Sequence, residues 1–348
     1  MPLPSGAVCI PVQPFVSIVV PLLNEEETIE RLARSLLEQD YPRERYEILM
    51  ADGGSTDRTL DILRQVDAGG RIRVLNNLGR TAPAALNVAI AAARGDIITR
   101  VDGHSFVAPD YLRRIVEVME ETGEAAVGGP VLMEADTPFR RALVEALYSR
   151  VGVGSVPYRT LRRRAFVESL QTGSFRRQVL AEAGPFDESL AIVEDLDMNT
   201  RIRKAGYRLL LDPSIRFWYV PRPGLGGLWR QIYSVGLVKA RILRKHPDIF
   251  RIKYVLPSLF ILTGAAALAS LVAGIGARSV RLGAPGAAFL AAYLLAIAVF
   301  SLSRAPRLGA GCLRLLLILP ALHAGYGLGF LRGAAEAWMS PRRPKRNN

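Results

Sequence analysis

Hydrophobic and polar positions follow two different rhythms along this chain, and the rhythm changes once. In the front half, short β-branched runs alternate with stretches of helical period. FVSIVVPL (15–22) reads as a strand and TIERLARSLLEQD (28–40) as an amphipathic helix. YEILMAD (46–52) reads as a second strand, joined by a Gly-Ser-rich turn to the short helix LDILRQV (60–66). RIRVLNN (71–77), APAALNVAIAAAR (82–94) and DIITRVDGH (96–104) continue the alternation as strand, helix and strand. Short connections between such elements predict an α/β fold with a mostly parallel sheet covered by helices. Ligands of such sheets sit beyond the carboxyl ends of the strands. Residues 21–25, 52–57 and 102–104 all fall there.

After Tyr254 the pattern becomes uniformly apolar. VLPSLFILTGAAALASLVAGIGA (255–277) carries no charge and spans about 35 Å as a helix, enough to cross a bilayer. LGAPGAAFLAAYLLAIAVFSLS (282–303) is a second such run. LGAGCLRLLLILPALHAGYGLGFL (308–331) is a third, weakened by Arg314, Pro320 and His323. Buried core helices are the competing reading, but three successive runs punctuated by Arg278, Arg281, Arg304 and Arg307 favour a membrane domain. The expected organisation is a cytoplasmic domain over 15–248, a membrane domain of two to three helices over 255–331, and a basic tail over 332–348. The basic stretch ahead of Val255 belongs on the cytoplasmic side. Three full spans then place the tail MSPRRPKRNN outside, against the same rule, so a re-entrant or interfacial third segment is the favoured resolution. The whole reads as a multi-pass protein of the inner (plasma) membrane.

Composition narrows the partners. Of 348 residues half are hydrophobic and 22% charged, which suits neither a disordered nor a wholly membrane-embedded chain. The formal charge is +13, and from 136 to 254 Lys and Arg outnumber Asp and Glu roughly two to one. Such an excess suits nucleic acid, an anionic membrane surface or phosphorylated substrates. No helix-turn-helix, zinc-finger or RNP-type aromatic motif is present, so nucleic acid is not an expected partner. Cys9 and Cys312 lie far apart and imply no disulfide framework, which fits a reducing compartment. MPLPSGAVCIPVQPF lacks the basic start and apolar core of a signal peptide.

Several stretches carry candidate chemistry. In VVPLLNEEETIE (19–30), Asn24 is a candidate N-cap with acids following in the first turn. In ADGGSTDRT (51–59), Asp52 closes a strand and Gly53 and Gly54 permit positive φ or close ligand approach. A plain turn does not need Asp52, whereas a nucleobase N–H or a ribose hydroxyl has a use for its carboxylate. Asp102 and His104, two apart on an extended segment, share one face and suit one divalent ion. A carboxylate with an imidazole suits Mn²⁺ better than Mg²⁺, and an ordinary solvated turn is the alternative. His246 and His323 lie near or within the membrane region, so no multi-histidine zinc site is expected. In 169–213, a Gly-Ser turn at Gly173 and Ser174 precedes Arg176 and Arg177, and Glu194-Asp195 opens a helix. Glu194, Asp195 and Asp197 suit a helix N-terminus for dipole reasons alone, or one of them accepts a proton from an attacking hydroxyl.

VVPLLNEEETI, ADGGSTDRT, GRTAPAALNVAIAAARGDIITRVDGH and GSFRR…GPFDE…VEDLDMNTRIRKAGYR, in that order, resemble a family 2 glycosyltransferase with the GT-A fold. The resemblance covers about residues 15–213. The membrane-anchored tail, led by GLWRQIYSVGLVKARILRKHP, is similar to exopolysaccharide transferases of the succinoglycan-biosynthesis type. The resemblance implies that Pro21 and Glu25 line the nucleotide, with Leu23 where the family often has an aromatic. It implies that Asp52 contacts base or ribose, Gly53 replacing the family's second Asp, and that Arg80 faces the diphosphate. Asp102 matches the first acid of Asp-x-Asp, and His104 stands where the family's metal-ligating Asp usually is. Asp195, beside Glu194, matches the general base, while Gly173, Ser174 and Gln231 fall on the acceptor side. The Gln-x-x-Arg-Trp motif of processive synthases is not reproduced around Gln231, which favours single-sugar transfer.

The implied reaction is an inverting transfer from a nucleoside-diphosphate sugar to a hydroxyl of a polyprenyl-linked or glycan acceptor at the membrane, in bacterial polysaccharide synthesis. It implies a divalent metal, Mn²⁺ before Mg²⁺, and polysaccharide-assembly proteins as partners. The basic runs 161–164 and 222–253 suit a lipid-linked phosphate or anionic headgroups equally. Two alternatives stay open: a polyprenyl-phosphate sugar synthase, and a catalytically silent membrane scaffold that binds sugar nucleotides.

Overall fold

The computed structural model describes residues 13–152 and 157–339. The first elements are β1 (Val16–Leu22), α1 (Ile29–Leu37), β2 (Tyr46–Asp52), α2 (Thr59–Val66), β3 (Ile72–Asn76), α3 (Ala82–Ala92), β4 (Ile97–Arg100) and β5 (Ser105–Val107). There follow α4 (Tyr111–Thr122), β6 (Ala126–Gly128), β7 (Val131–Met133), α5 (Pro138–Leu147), α6 (Pro157–Thr160), β8 (Ala165–Val167), β9 (Ser174–Arg176) and α7 (Arg177–Ala183). The last are α8 (Glu194–Lys204), β10 (Leu209–Leu211), β11 (Phe217–Tyr219), α9 (Leu225–Lys245), α10 (Leu256–Gly276), α11 (Val280–Ser303), α12 (Ala305–Leu308) and α13 (Leu315–Met339).

β1 is apolar because both of its faces are covered, the requirement on a central parallel strand. Val16, Ile18 and Val20 enter one core with α1 and α4; Val19 enters the other with α3. The large sheet runs β3-β2-β1-β4-β9-β6-β10-β8, parallel from β3 to β4. β9 is inserted antiparallel between β4 and β6. A small second sheet runs β5-β11-β7. Register keeps the first strand ends level: Leu22 pairs with Asp52, and Asp52 with Asn76.

α10, α11 and the stretch from α12 through α13 are long and apolar enough to cross a membrane. Leu262, Leu268, Leu294 and Leu295 point outward and are more than half exposed, as a lipid-facing surface requires. The third apolar segment differs from the expectation. Its helix begins at Leu315, not 308, and continues past 331 to Met339. Arg314 is left in a 3₁₀ turn ahead of it, and Pro320 falls in its second turn. The expected tail thus begins as helix. Residues from 340 and Cys9 lie outside the described residues; Cys312 is a buried free thiol.

α9 lies along α13. Gly236 of α9 and Gly329 and Gly333 of α13 bring the two backbones together: a Cβ at Gly329 would overlap the Tyr233 carbonyl oxygen. The opposite face of α9, Gln231, Val235 and Lys239 at a spacing of four, turns toward the α/β half.

Candidate active site

The loops after β1, β3 and β4, the start of α8 and one face of α9 enclose a cleft of about 1370 Å³. Pro21, Leu23, Glu25, Arg80, Asp102, His104, Glu194, Asp195 and Gln231 all line it.

Asp102 and His104 do not sit on an extended segment. β4 ends at Arg100, and Ser105 N donates to Asp102 O at 3.0 Å, closing a turn. The turn presses on the end of β1: a Cβ at Gly103 would stand 3.0 Å from both Glu25 Cγ and Leu22 Cδ2. Thr28 Oγ1 donates to Gly103 O at 3.0 Å and fixes it there. His104 Nδ1 lies 3.1 Å from Glu25 Oε1. A carboxylate only accepts, so the neutral ring donates from Nδ1 and keeps the Nε2 lone pair. Arg222 reaches the same Glu25 oxygen at 3.6 Å. The Tyr219 ring meets His104 edge-on at 4.8 Å, and Gln231 Nε2 donates to Tyr219 Oη at 3.1 Å.

Arg100 joins the two acidic sites. Its Nε donates to Asp102 Oδ1 at 2.8 Å and an Nη to Glu194 Oε1 at 2.6 Å. Burial alone would lower its pKa; Asp102, then Glu194 and Asp195, more than offset this and raise it. Val193, just ahead of α8, has φ 65°. That region is an outlier for a β-branched residue and costs about 1–3 kcal/mol. It turns Glu194 and Asp195 into the cleft.

Asp195 differs from its neighbours. It is half-buried, and among the described residues no side chain hydrogen-bonds or ion-pairs with its carboxylate. Burial, then the charge of Glu194, push its pKa up to about 6 against the partial relief of Arg100 and Lys239. Lys239 on α9 is pushed down to about 8 by burial, despite Asp195. Asp197, on the far side of α8, is wholly buried in a clasp with the end of α9. His246 Nε2 lies 2.8 Å and Lys245 Nζ 2.7 Å from its Oδ1. Lys204 Nζ, 3.2 Å from His246 Nδ1, can only donate, so the ring gives its proton to Asp197 from Nε2.

Several expectations need correction. Asp52 is 7% exposed and does not line the cleft. Its carboxylate accepts from Gly54 N at 2.9 Å, Ser55 N at 3.1 Å and Ser55 Oγ at 2.6 Å, so its own turn occupies it. Of the two glycines, Gly54 alone has positive φ. Asn24 is not an N-cap, since α1 starts at Ile29; it ties two loops together by accepting from Thr56 N at 2.8 Å. Ser174 opens β9 and is fully buried with its Oγ 2.7 Å from Thr99 Oγ1, while Gly173, just ahead of the strand, accepts through its O from Arg100 N; neither lines the cleft. Their neighbours Ser169 and Gln171 reach the cleft instead. Arg164 of the 161–164 run is paired with Asp212 at 2.5 Å and Glu121 at 2.8 Å.

Arg100, Tyr219 and Lys239 were not singled out from the sequence. A cation at the last position of an apolar strand, two residues before an acid, is the one local signal for Arg100.

Known proteins share this plan. A model described as Glycosyl transferase family 2 matches residues 17–184. The succinoglycan biosynthesis protein ExoA of Rhizobium meliloti is 32% identical over 69% of this chain and 73% of its own length. A dolichyl N-acetyl-alpha-D-glucosaminyl phosphate 3-beta-D-2,3-diacetamido-2,3-dideoxy-beta-D-glucuronosyltransferase of Methanococcus voltae is 28% identical over 71% of this chain and 79% of its own. Among solved structures, the mannosyltransferase PcManGT from Pyrobaculum calidifontis, in complex with GDP-Man and Mn²⁺, superposes with a TM-score of 0.59 at 23% identity, covering 90% of this chain and 87% of that one. The shared architecture is the GT-A type, an α/β domain with a mostly parallel sheet, here followed by apolar helices. The chain belongs to glycosyltransferase family 2 and is a glycosyltransferase.

Proposed function

We propose that the protein is an inverting enzyme that moves one sugar from a nucleoside-diphosphate sugar to a hydroxyl of a lipid-linked acceptor in bacterial polysaccharide synthesis. The observation that carries this is the unpaired Asp195 carboxylate, held near neutrality in a cleft that runs from the strand-end loops to the apolar helices. Asp195 takes the proton of the acceptor hydroxyl as its oxygen bonds the anomeric carbon. The bond from that carbon to the diphosphate breaks on the opposite face, and the electron pair leaves with the diphosphate. Arg80, exposed at the mouth, meets the growing negative charge.

The residues present fit a divalent ion. Asp102 keeps Oδ2 free beyond its Arg100 bond, and His104 keeps Nε2, oriented by Glu25 as ligating histidines are oriented by carboxylates. No group of three or more His, Cys, Asp or Glu gathers among the described residues, so substrate phosphates would complete the shell. An ion there would neutralise charge on the leaving diphosphate. The imidazole favours Mn²⁺ over Mg²⁺.

In this reading residues 15–248 form the cytoplasmic catalytic domain and the apolar helices hold it at the inner membrane. The name of the Methanococcus voltae relative, which acts on a dolichyl phosphate-linked sugar, supports a lipid-linked acceptor. The silent-scaffold alternative is disfavoured by the intact assembly of Asp102, Glu194 and Asp195. The test is transfer by Asp195→Asn with a lipid-linked sugar acceptor: a loss of roughly 10²–10⁴-fold is expected. Full activity of the variant would remove the base. Transfer to a bare polyprenyl phosphate would favour the synthase reading instead.

A further inference from the structure

The cleft continues past Asp195 into the membrane half. Beyond the carboxylate it is lined by Arg159, Lys239 and Lys253, then by Leu256 and Phe260 of α10 and Tyr326 of α13. Buried polar groups are normally satisfied, yet this region holds several that are not. Arg159 Nε and Tyr326 Oη are buried without a hydrogen-bond partner among the described residues. Lys239 Nζ has no acceptor among the described residues and rests 4.9 Å from the Tyr254 ring centroid; Lys253 stands 5.7 Å from the same ring. Three cations with no carboxylate at ion-pair distance among the described residues, one of them with an orphaned Nε, an orphaned tyrosine hydroxyl and an apolar slot describe an amphiphile: a phosphate at the head and a hydrocarbon chain behind it.

The donor's diphosphate is the other source of phosphate oxygens. Lys239 lies eight residues beyond Gln231 along α9, about 12 Å of helix. Gln231 belongs to the His104 end through Tyr219. That separation sets Lys239 two turns further along the cleft than Gln231, and the nucleotide probe below decides whether the donor diphosphate also reaches it.

We propose that Lys239, Arg159 and Lys253 form a subsite for the phosphate of a lipid-borne acceptor, whose hydrocarbon chain lies along α10 and α13. The subsite rests on the reading of the enzyme as a transferase to a membrane acceptor. Phosphate here, with Asp195 between it and the donor end, leaves the first sugar of the acceptor beside the base.

The test uses the full chain in nanodiscs of neutral lipid and three probes: farnesyl phosphate, farnesol and UDP or GDP. Wild type should bind farnesyl phosphate well above farnesol. Lys239→Met should weaken farnesyl phosphate about 10- to 100-fold, the weight of one charge-assisted hydrogen bond, and leave the nucleotide within threefold. Lys239→Arg should restore most of the affinity, which separates lost charge from lost folding; Lys253→Gln should act in the same direction, more weakly. Equal weakening of nucleotide and farnesyl phosphate would assign these cations to the donor and overturn the subsite. So would unchanged farnesyl phosphate affinity in both variants, or equal competition by phosphatidylglycerol, which would make them a headgroup patch. Failure of the broader reading looks different: wild type would bind neither UDP nor GDP.

Discussion

Replacing Asp195 by Asn should make the protein both inactive and more stable, and the second effect should depend on pH. The carboxylate titrates near pH 6 in the fold against 3.8 for a free Asp side chain. The folded chain therefore holds a proton that the unfolded chain gives up between about pH 4 and pH 6. Below that window ionisation costs the fold nothing; above it the cost is complete. Each tenfold change in ionisation is about 1.4 kcal/mol, so the cost at pH 7 approaches roughly 3 kcal/mol. The attraction to Arg100 and Lys239 is already contained in that figure, because it lowers the same pKa. Asn has the shape of the neutral acid and avoids the cost. The apparent melting temperature of the variant should exceed that of wild type by several degrees at pH 7.5 and converge with it only below about pH 4. Turnover of wild type should follow the ionised fraction, falling about tenfold from pH 7 to pH 5. Equal melting temperatures at pH 7.5, or a gap that widens in acid, would refute the burial of an ionised base.

Arg100→Met should destabilise the protein by about 3–5 kcal/mol, because it strands Asp102 and Glu194 without their shared cation; a chemical melt in detergent reads this directly, and a change below 1 kcal/mol would contradict it. Glu25→Gln should weaken Mn²⁺ binding about 10–100-fold by releasing the His104 ring, measured as free Mn²⁺ by electron paramagnetic resonance, where an unchanged affinity would separate Glu25 from metal binding. Gly329→Leu should part α9 from α13, costing at least the 1–3 kcal/mol of ordinary overpacking and opening α9 to protease; resistance equal to wild type would show that the seam tolerates bulk.

What could be read from the sequence was what local order encodes. The alternation of β1 to β4 with α1 to α3 appears in period alone, and the strand-end acids Asp102 and Glu25 follow from it. The place of Asp195 at the opening of α8 was legible through its motif. The insertion of β9 between β4 and β6 was not, because that pairing joins segments far apart in the chain. Gly173 and Ser174 consequently looked like a surface turn. Arg100 was hidden because its partner Glu194 lies in another element. Lys239 was hidden differently: α9 contains several cations, and only the packing on α13 determines which one turns inward.

The clasp of Asp197 by His246 and Lys245 has a practical consequence. The helix carrying Asp195 is anchored to α9 rather than only to the sheet. α9 in turn keeps its place through the glycine seam with α13. A shortened, water-soluble version ending before Leu256 would retain every acid discussed above. It would also expose the bare face of α9 and free the end of the tether. Poor turnover in such a fragment would report a lost scaffold and a lost apolar slot, not a missing acid, so kinetic work on this enzyme belongs with the apolar helices still attached.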